Sequence, residues 1–182
     1  MHWPIIYFDI HKQILSLICL NMSYGKEVIH LNSCQLVVFS LGAEEYAIPI
    51  SYAERIVRIP ALKKIPNTPE FIEGVFALRG KIIPAVDLKK RFGFGKFERS
   101  NDSRLLILDF EGTKLGIIVD DVTEVLKIDE QAIQHLDDEI CQISKNSIKG
   151  VSIIDERIIM ILDVSKLKSE IFKVDFEKEL VS

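Results

Sequence analysis

The chain carries the same pattern twice. Moving the sequence by 69 residues lays Tyr46, Ile48, Ile50, Ala53, Ile56 and Ile59 on Leu115, Ile117, Val119, Val122, Val125 and Ile128 without a gap. Moving it by 76 lays Ile72, Gly74, Val75, Ile82, Ile83 and Asp87 on Ile148, Gly150, Val151, Ile158, Ile159 and Asp163. Any fold for this chain must place one apolar pattern in two equivalent environments, so two lobes built to one plan are expected.

The repeated unit reads as strands. From Gln35 onward, short apolar segments are punctuated by Gly, Asp-Glu and Pro, and few are long enough for a helix. "EYAIPI" puts Tyr46, Ile48 and Ile50 on one face and Glu45, Ala47 and Pro49 on the other. "RLLILDFEGTKLGIIV" repeats the plan, with Glu111 to Lys114 as the hairpin turn, as Gly42 to Glu45 are in the first copy. About five short strands per lobe are too few for an open sheet with long bare edges, so closure into a small SH3-like barrel is expected. The fold class is therefore mainly β: two five-stranded barrel lobes sharing an apolar seam, with short helices. Asp87 before "LKKRF" and Asp163 before "VSKLK" are N-caps, Gly93 closes the first helix, and Lys89, Lys90 and Arg91 suit the negative end of its dipole. Pro60, Pro66 and Pro69 make the segment before Phe71 an ordered loop. Its counterpart after Asp129 has no proline and has the composition for a short helix.

Chemistry is sparse. Apolar residues make up 48% of the chain, charged ones 27%, and the net charge of -4 offers no global attraction to nucleic acid or anionic lipid. Cys19, Cys34 and Cys141 are odd in number and far apart, and His2, His11, His30 and His135 show no metal-binding spacing. They read as partly buried, reduced thiols and as histidines without a metal. No nucleophile elbow or phosphate loop occurs, and the Asp120-Asp121 pair reads as a strand-end turn. No catalytic, cofactor or metal site is expected.

Two features stand out. "KKRFGFGKFER", Lys89 to Arg99, interleaves five cations with aromatics, as single-strand nucleic acid platforms on small barrels do, but Phe92 ends a helix and is expected to pack inward. Arg79 is the sharper case, because it precedes Gly80 at a hairpin tip where Asp155 and Glu156 stand in the second copy. An isolated surface ion pair contributes roughly 0 to 1 kcal/mol, so stability alone gives little reason for arginine, whereas recognition does. Glu54 is the expected local carboxylate partner.

The segment "AERIVRIPALKKIPNTPEFIEGVFALRGKIIPAVDLKKRFG" resembles the signature of CheW-like domains, the chemotaxis coupling proteins, in its "LRG", "DL" and "RFG" words. The resemblance runs from about Cys34 to Phe172, and one departure is Ala77, where that family commonly has asparagine. It implies a two-barrel CheW-like domain over 34–173, flanked by tails 1–33 and 174–182. It also implies a cytoplasmic, non-catalytic adaptor at membrane-bound receptor arrays, linking methyl-accepting chemoreceptors to a chemotaxis histidine kinase. The kinase partner is its CheW-like regulatory domain, pairing through one barrel of each, and the receptor partner is the helical hairpin tip, docking between the barrels. Carried over position by position, Glu54 and Arg79 match the family's acidic and basic pair near the receptor side, and Tyr52, Ile56, Val75 and Val86 match apolar positions around the groove. No nucleic acid and no membrane insertion are expected. The alternatives are a coupling protein of a pilus or other non-flagellar array, or a nucleic-acid-binding double barrel. No receiver domain follows, which disfavours a fused coupling-receiver protein.

The N-terminal tail is apolar, but its longest clean run, Ile14 to Leu20, is far short of the 18 or more residues of a membrane span. Asp9, His11 and Lys12 before it do not make a secretory leader. Regular alternation begins only near Cys34, so translation is expected to begin at Met22. Intact mass spectrometry of the natural protein should give a chain starting there; a mass that includes residues 1–21 contradicts it.

Overall fold

A computed structural model of the chain describes residues 33–134 and 147–172. The first copy forms β1 (Ser33–Leu41), β2 (Glu44–Pro49), β3 (Ala53–Arg58), β4 (Ile72–Leu78), β5 (Lys81–Asp87) and α1 (Leu88–Phe92). The second forms β6 (Arg104–Phe110), β7 (Thr113–Val119), β8 (Asp121–Asp129), β9 (Ile148–Ile154), β10 (Arg157–Leu162) and α2 (Val164–Ile171). Short 3₁₀ turns follow β2 and β8, at Ile50–Tyr52 and Glu130–Ala132. The rest of the segment expected to hold a helix after Asp129, residues 135–146, lies outside the described residues, as do all four histidines, Cys19, Cys141 and both tails.

The ten strands make two five-stranded sheets, ordered β3-β6-β7-β5-β4 and β8-β1-β2-β10-β9. Each sheet therefore mixes the two copies. The first takes β3, β4 and β5 from the first copy and β6 and β7 from the second, and the other sheet makes the reciprocal exchange. Two parallel ladders join the copies: Ala85 and Val86 of β5 oppose Gly116 and Ile117 of β7, and Tyr46 and Ala47 of β2 oppose Met160 and Ile161 of β10. This corrects the expectation that each copy is a lobe. Equivalent strands have equivalent apolar patterns, so β7 covers β5 as well as the first copy's own β2 would.

The central strands explain why their sequence is almost continuously apolar. In β1, Leu36 and Val38 face the interior of their own sheet's barrel, with Ile159 and Ile161, while Val37 and Phe39 face a seam core shared by the two sheets. In β6, Leu105 and Ile107 pack with Phe76 and Ile83 inside the other barrel, while Leu106 and Leu108 join the seam. A strand buried on both faces has no polar alternation to display. Leu88 of α1 and Val164, Leu167 and Ile171 of α2 complete the seam.

The sheets curl without forming closed hydrogen-bonded cylinders, a second difference from expectation. The outer edge of β4 is covered by the proline-bearing loop, where Lys63 and Val75 exchange both backbone hydrogen bonds at 2.8 Å. The outer edge of β9 is covered in the same way by Gln134 against Val151. A covered edge meets part of the need that closure meets, because β4 and β9 are no longer bare templates there, while β3 and β8 remain edge strands. The repeated glycine follows from this: a Cβ on Gly74 would lie 2.5 Å from the Lys63 carbonyl oxygen, and one on Gly150 would lie 2.7 Å from that of Gln134.

Both helix caps form as the sequence predicts. Asp163 accepts from the Lys166 amide at 3.0 Å. Asp87 does more, since its fully buried carboxylate accepts from Lys90 N at 3.2 Å and from Phe97 N at 3.0 Å, tying the stretch after α1 to the helix start. Gly93 takes the left-handed cap at φ 80°. Asp87→Ala should therefore cost about 2–3 kcal/mol and Asp163→Ala about 1 kcal/mol in urea unfolding. Equal losses would show that the Phe97 bond contributes nothing.

Candidate partner-binding surface

Arg79 sits in a conformation that its side chain does not favour. Arg79 and Gly80 have φ of 49° and 78°, so the β4–β5 hairpin ends in a turn with both central residues left-handed, the I′ geometry that suits strand twist and favours Asn, Asp and Gly. Asp155 and Glu156 make the equivalent turn at φ 49° and 66°. A non-glycine residue there is uncommon, and arginine has no short polar group to ease it. The Arg79 side chain is exposed and has no hydrogen bond or ion pair among the described residues. Nothing in the folding of this turn selects arginine.

Glu54 does not pair with Arg79. Lys114 Nζ bonds Glu54 Oε2 and, at 2.9 Å, Asp109 Oδ2, and Arg55 stands 3.7 Å from Glu54. Burial alone would lower the Lys114 pKa, but its bonds to the two carboxylates raise it above the ordinary lysine value. The Lys114 bond, followed by the Gly112 amide, holds Asp109 below its ordinary value. The strand exchange is the reason for the different pairing. It inserts β6 and β7 between β3 and β5, so Lys114 on β7 meets Glu54 while Arg79 lies beyond Lys81, whose ammonium reaches the Gly112 carbonyl at 3.3 Å.

Of the four apolar positions expected around a groove, two reach the protein surface. Tyr52 is half-buried with its ring 5.5 Å from that of Phe110, and Ile56 is half-buried against the seam core. Val86 is 0% exposed and Val75 only 6%, so neither can touch a partner. Val86 lies between Ile72 and Ile117 in the middle of its sheet, and Val75 is covered by Lys63. Their role is to support the surface. The sequence reading missed Val125, 38% exposed at the repeat position of Ile56, and the cross-strand pair Ile153 and Ile158, each 59% exposed. The repeat carried the signal: Ile158 stands where Ile82 stands, and Ile82 is 56% exposed.

The basic-aromatic stretch is committed internally. Lys89 bonds Asp120 at 2.6 Å, Lys90 pairs with Glu73, Arg91 with Glu170 of α2, and Arg99 donates to the Ile59 carbonyl. Phe92 stacks on Tyr46 with ring centroids 5.6 Å apart, and Phe97 packs into a barrel interior. Three of the five cations are thus paired with carboxylates of the fold and Arg99 is held on a carbonyl, which weakens the electrostatic basis for a nucleic acid platform. Asp120, read as a turn residue, also accepts the Gly42 amide at 2.6 Å, so it joins α1 to the β1–β2 turn.

This architecture has known counterparts. Residues 35–172 match the family model described as the CheW-like domain. The chain belongs to that family. The chemotaxis protein CheW of Treponema pallidum is 37% identical over 139 residues, covering 74% of this chain and 82% of that protein. That of Helicobacter pylori is 32% identical over 142 residues, covering 78% and 83%. A crystal structure of the scaffolding protein TtCheW from Thermoanaerobacter tengcongensis is similar with a TM-score of 0.68 at 42% identity, covering 78% of this chain and 91% of that one. In this CheW-like domain Glu54 and Arg79 are thus separate features. A double-mutant cycle should give a coupling of about 1 kcal/mol for Glu54→Gln with Lys114→Met and additivity for Glu54→Gln with Arg79→Gln. Coupling in the second cycle would restore the direct pair.

Proposed function

We propose that this protein is a chemotaxis adaptor that holds chemoreceptors and a histidine kinase of the chemotaxis type in one assembly and catalyses no reaction itself. The observation that carries this reading is the family match across residues 35–172, joined by relatives named chemotaxis protein CheW and a solved relative titled a scaffolding protein. The exposed features are those of an interaction module: apolar side chains at strand edges and hairpins, and an arginine held out on a strained turn.

Two surfaces are assigned. The half-buried Tyr52 and Ile56 beside the seam receive the receptor's helical hairpin tip, a helix-in-groove contact in which apolar anchors supply affinity. The β9–β10 hairpin, with Ile153 and Ile158 exposed as a pair, is the face for the kinase's CheW-like regulatory domain, since such a pair loses its water most completely against a like surface. Arg79 is a recognition contact at the receptor side. The site of action is the cytoplasm beneath receptor arrays, whether these serve flagella, pili or another output. Among the described residues, no helix is long and apolar enough to cross a membrane. Contacts that are modest singly become strong when an array links them.

The adaptor reading predicts that kinase and receptor are recovered with this protein in a pull-down from its own organism, and their absence counts against it. Arg79→Glu should weaken receptor-coupled kinase stimulation at least several-fold and leave thermal unfolding within a degree or two. Wild-type stimulation by that variant refutes the recognition role of Arg79.

A further inference from the structure

The edge strands β3 and β8, whose starts pack on the seam core, carry charge with no ion-pair counterpart among the described residues. On β3, Ile56 opposes the seam residue Leu106, and one pleat further along the same face Arg58 opposes Arg104. Like charges directly across a ladder destabilise a sheet. Arg104 is turned back onto the Asn101 and Ser103 carbonyls at 2.8 and 3.0 Å, while Arg58 is exposed and has no ion pair among the described residues. Glu98 and Asp102, the acids on the loop before β6, form no described ion pair with either. The guanidinium of Arg99 sits on the carbonyl of Ile59, next to Arg58, and adds to the positive field there.

The repeat places a cation at the matching point of β8, the edge strand of the other sheet. On β8, Val125 opposes the seam residue Val37, and one pleat further Lys127 opposes Gln35. Lys127 is exposed and has no ion pair among the described residues. Asp129, the next residue on that face, accepts the Gln131 amide as the cap of the following turn. Ile56-Val57-Arg58 and Val125-Leu126-Lys127 are thus two copies of one device, a half-buried or exposed apolar residue followed on the same face by a cation with no ion pair among the described residues. They lie on the two edge strands whose starts, at Ala53 and Val122, pack on the seam core.

We propose that Arg58 and Lys127 are specificity residues that select a helical partner whose apolar face is bordered by Asp or Glu. The inference rests on the reading of this groove as the receptor-tip site and adds the chemistry that the tip must carry. Charges at the rim of an apolar contact act mainly on encounter rate and on rejection of wrong partners, and salt screens them. The structure accepts the unfavourable Arg58–Arg104 juxtaposition because a partner's carboxylates relieve it on docking.

The test uses the full chain and a soluble fragment of a chemoreceptor from the same organism that contains its cytoplasmic hairpin tip. Wild-type association should slow about tenfold between 50 and 300 mM NaCl, and Arg58→Glu/Lys127→Glu should slow it about tenfold at low salt with dissociation little changed. The same double variant should bind the kinase regulatory domain normally. It should also unfold at the same temperature or higher, since Arg58→Glu replaces a like-charge pair with an opposite one; a role in stability would lower that temperature. Binding that is unaffected by salt and changed less than twofold by the double reversal overturns the charge selection and leaves the groove assignment standing. Failure of the wild-type chain to bind the fragment overturns both.

Discussion

The structure depends on two parallel ladders, β5 with β7 and β2 with β10, because among the described residues they are what joins the β4–β5 and β9–β10 hairpins to strands of the other copy. Without them neither sheet reaches five strands. A parallel pair needs a long crossover, so it can only be made between distant parts of the chain. The consequence is that neither repeat can bury its apolar face alone. Val37 and Phe39 from one copy and Leu106 and Leu108 from the other form one seam core, and it is complete only when both copies are present.

That shared core also explains how a small domain can present separate surfaces rigidly. The helices that follow β5 and β10 both insert into the seam, and Arg91 of α1 pairs with Glu170 of α2 across it. Lys89 adds a tie from α1 through Asp120 to the β1–β2 turn. Charges that look like a ligand platform in one dimension are therefore clamps in three. Among the described cations without an ion pair, Arg79, Arg58 and Lys127 stand close along their strands and hairpin to half-buried or exposed apolar residues, Ile82, Ile56 and Val125.

Duplication supplied two equivalent scaffolds, and the turns have diverged. The β4–β5 and β9–β10 hairpins share backbone geometry, with left-handed φ at both central residues, yet one presents arginine and glycine and the other aspartate and glutamate. Each turn holds one long side chain that the left-handed region does not favour, Arg79 in the first and Glu156 in the second, beside a residue that it does, Gly80 and Asp155, so the turns differ in charge and not in strain. The sign of that charge is what the recognition role proposed for Arg79 rests on.

The sequence by itself determined the strands, the hairpin turns, both helix caps and family membership, because periodicity, turn chemistry and capping are local and were written twice. Gly74 and Gly150 were visible as invariants of the repeat, although the backbone crossings that require them were not. Tertiary structure alone decided which copy's strand lies beside which, and from this followed the pairing of Glu54 with Lys114 instead of Arg79. It also decided that Val75 and Val86 lie beneath the surface while Val125, Ile153 and Ile158 lie on it. The physical reason is common to all of these. Alternation reports that a face is apolar, but whether another strand, a crossing loop or water covers that face is set by residues distant in the chain.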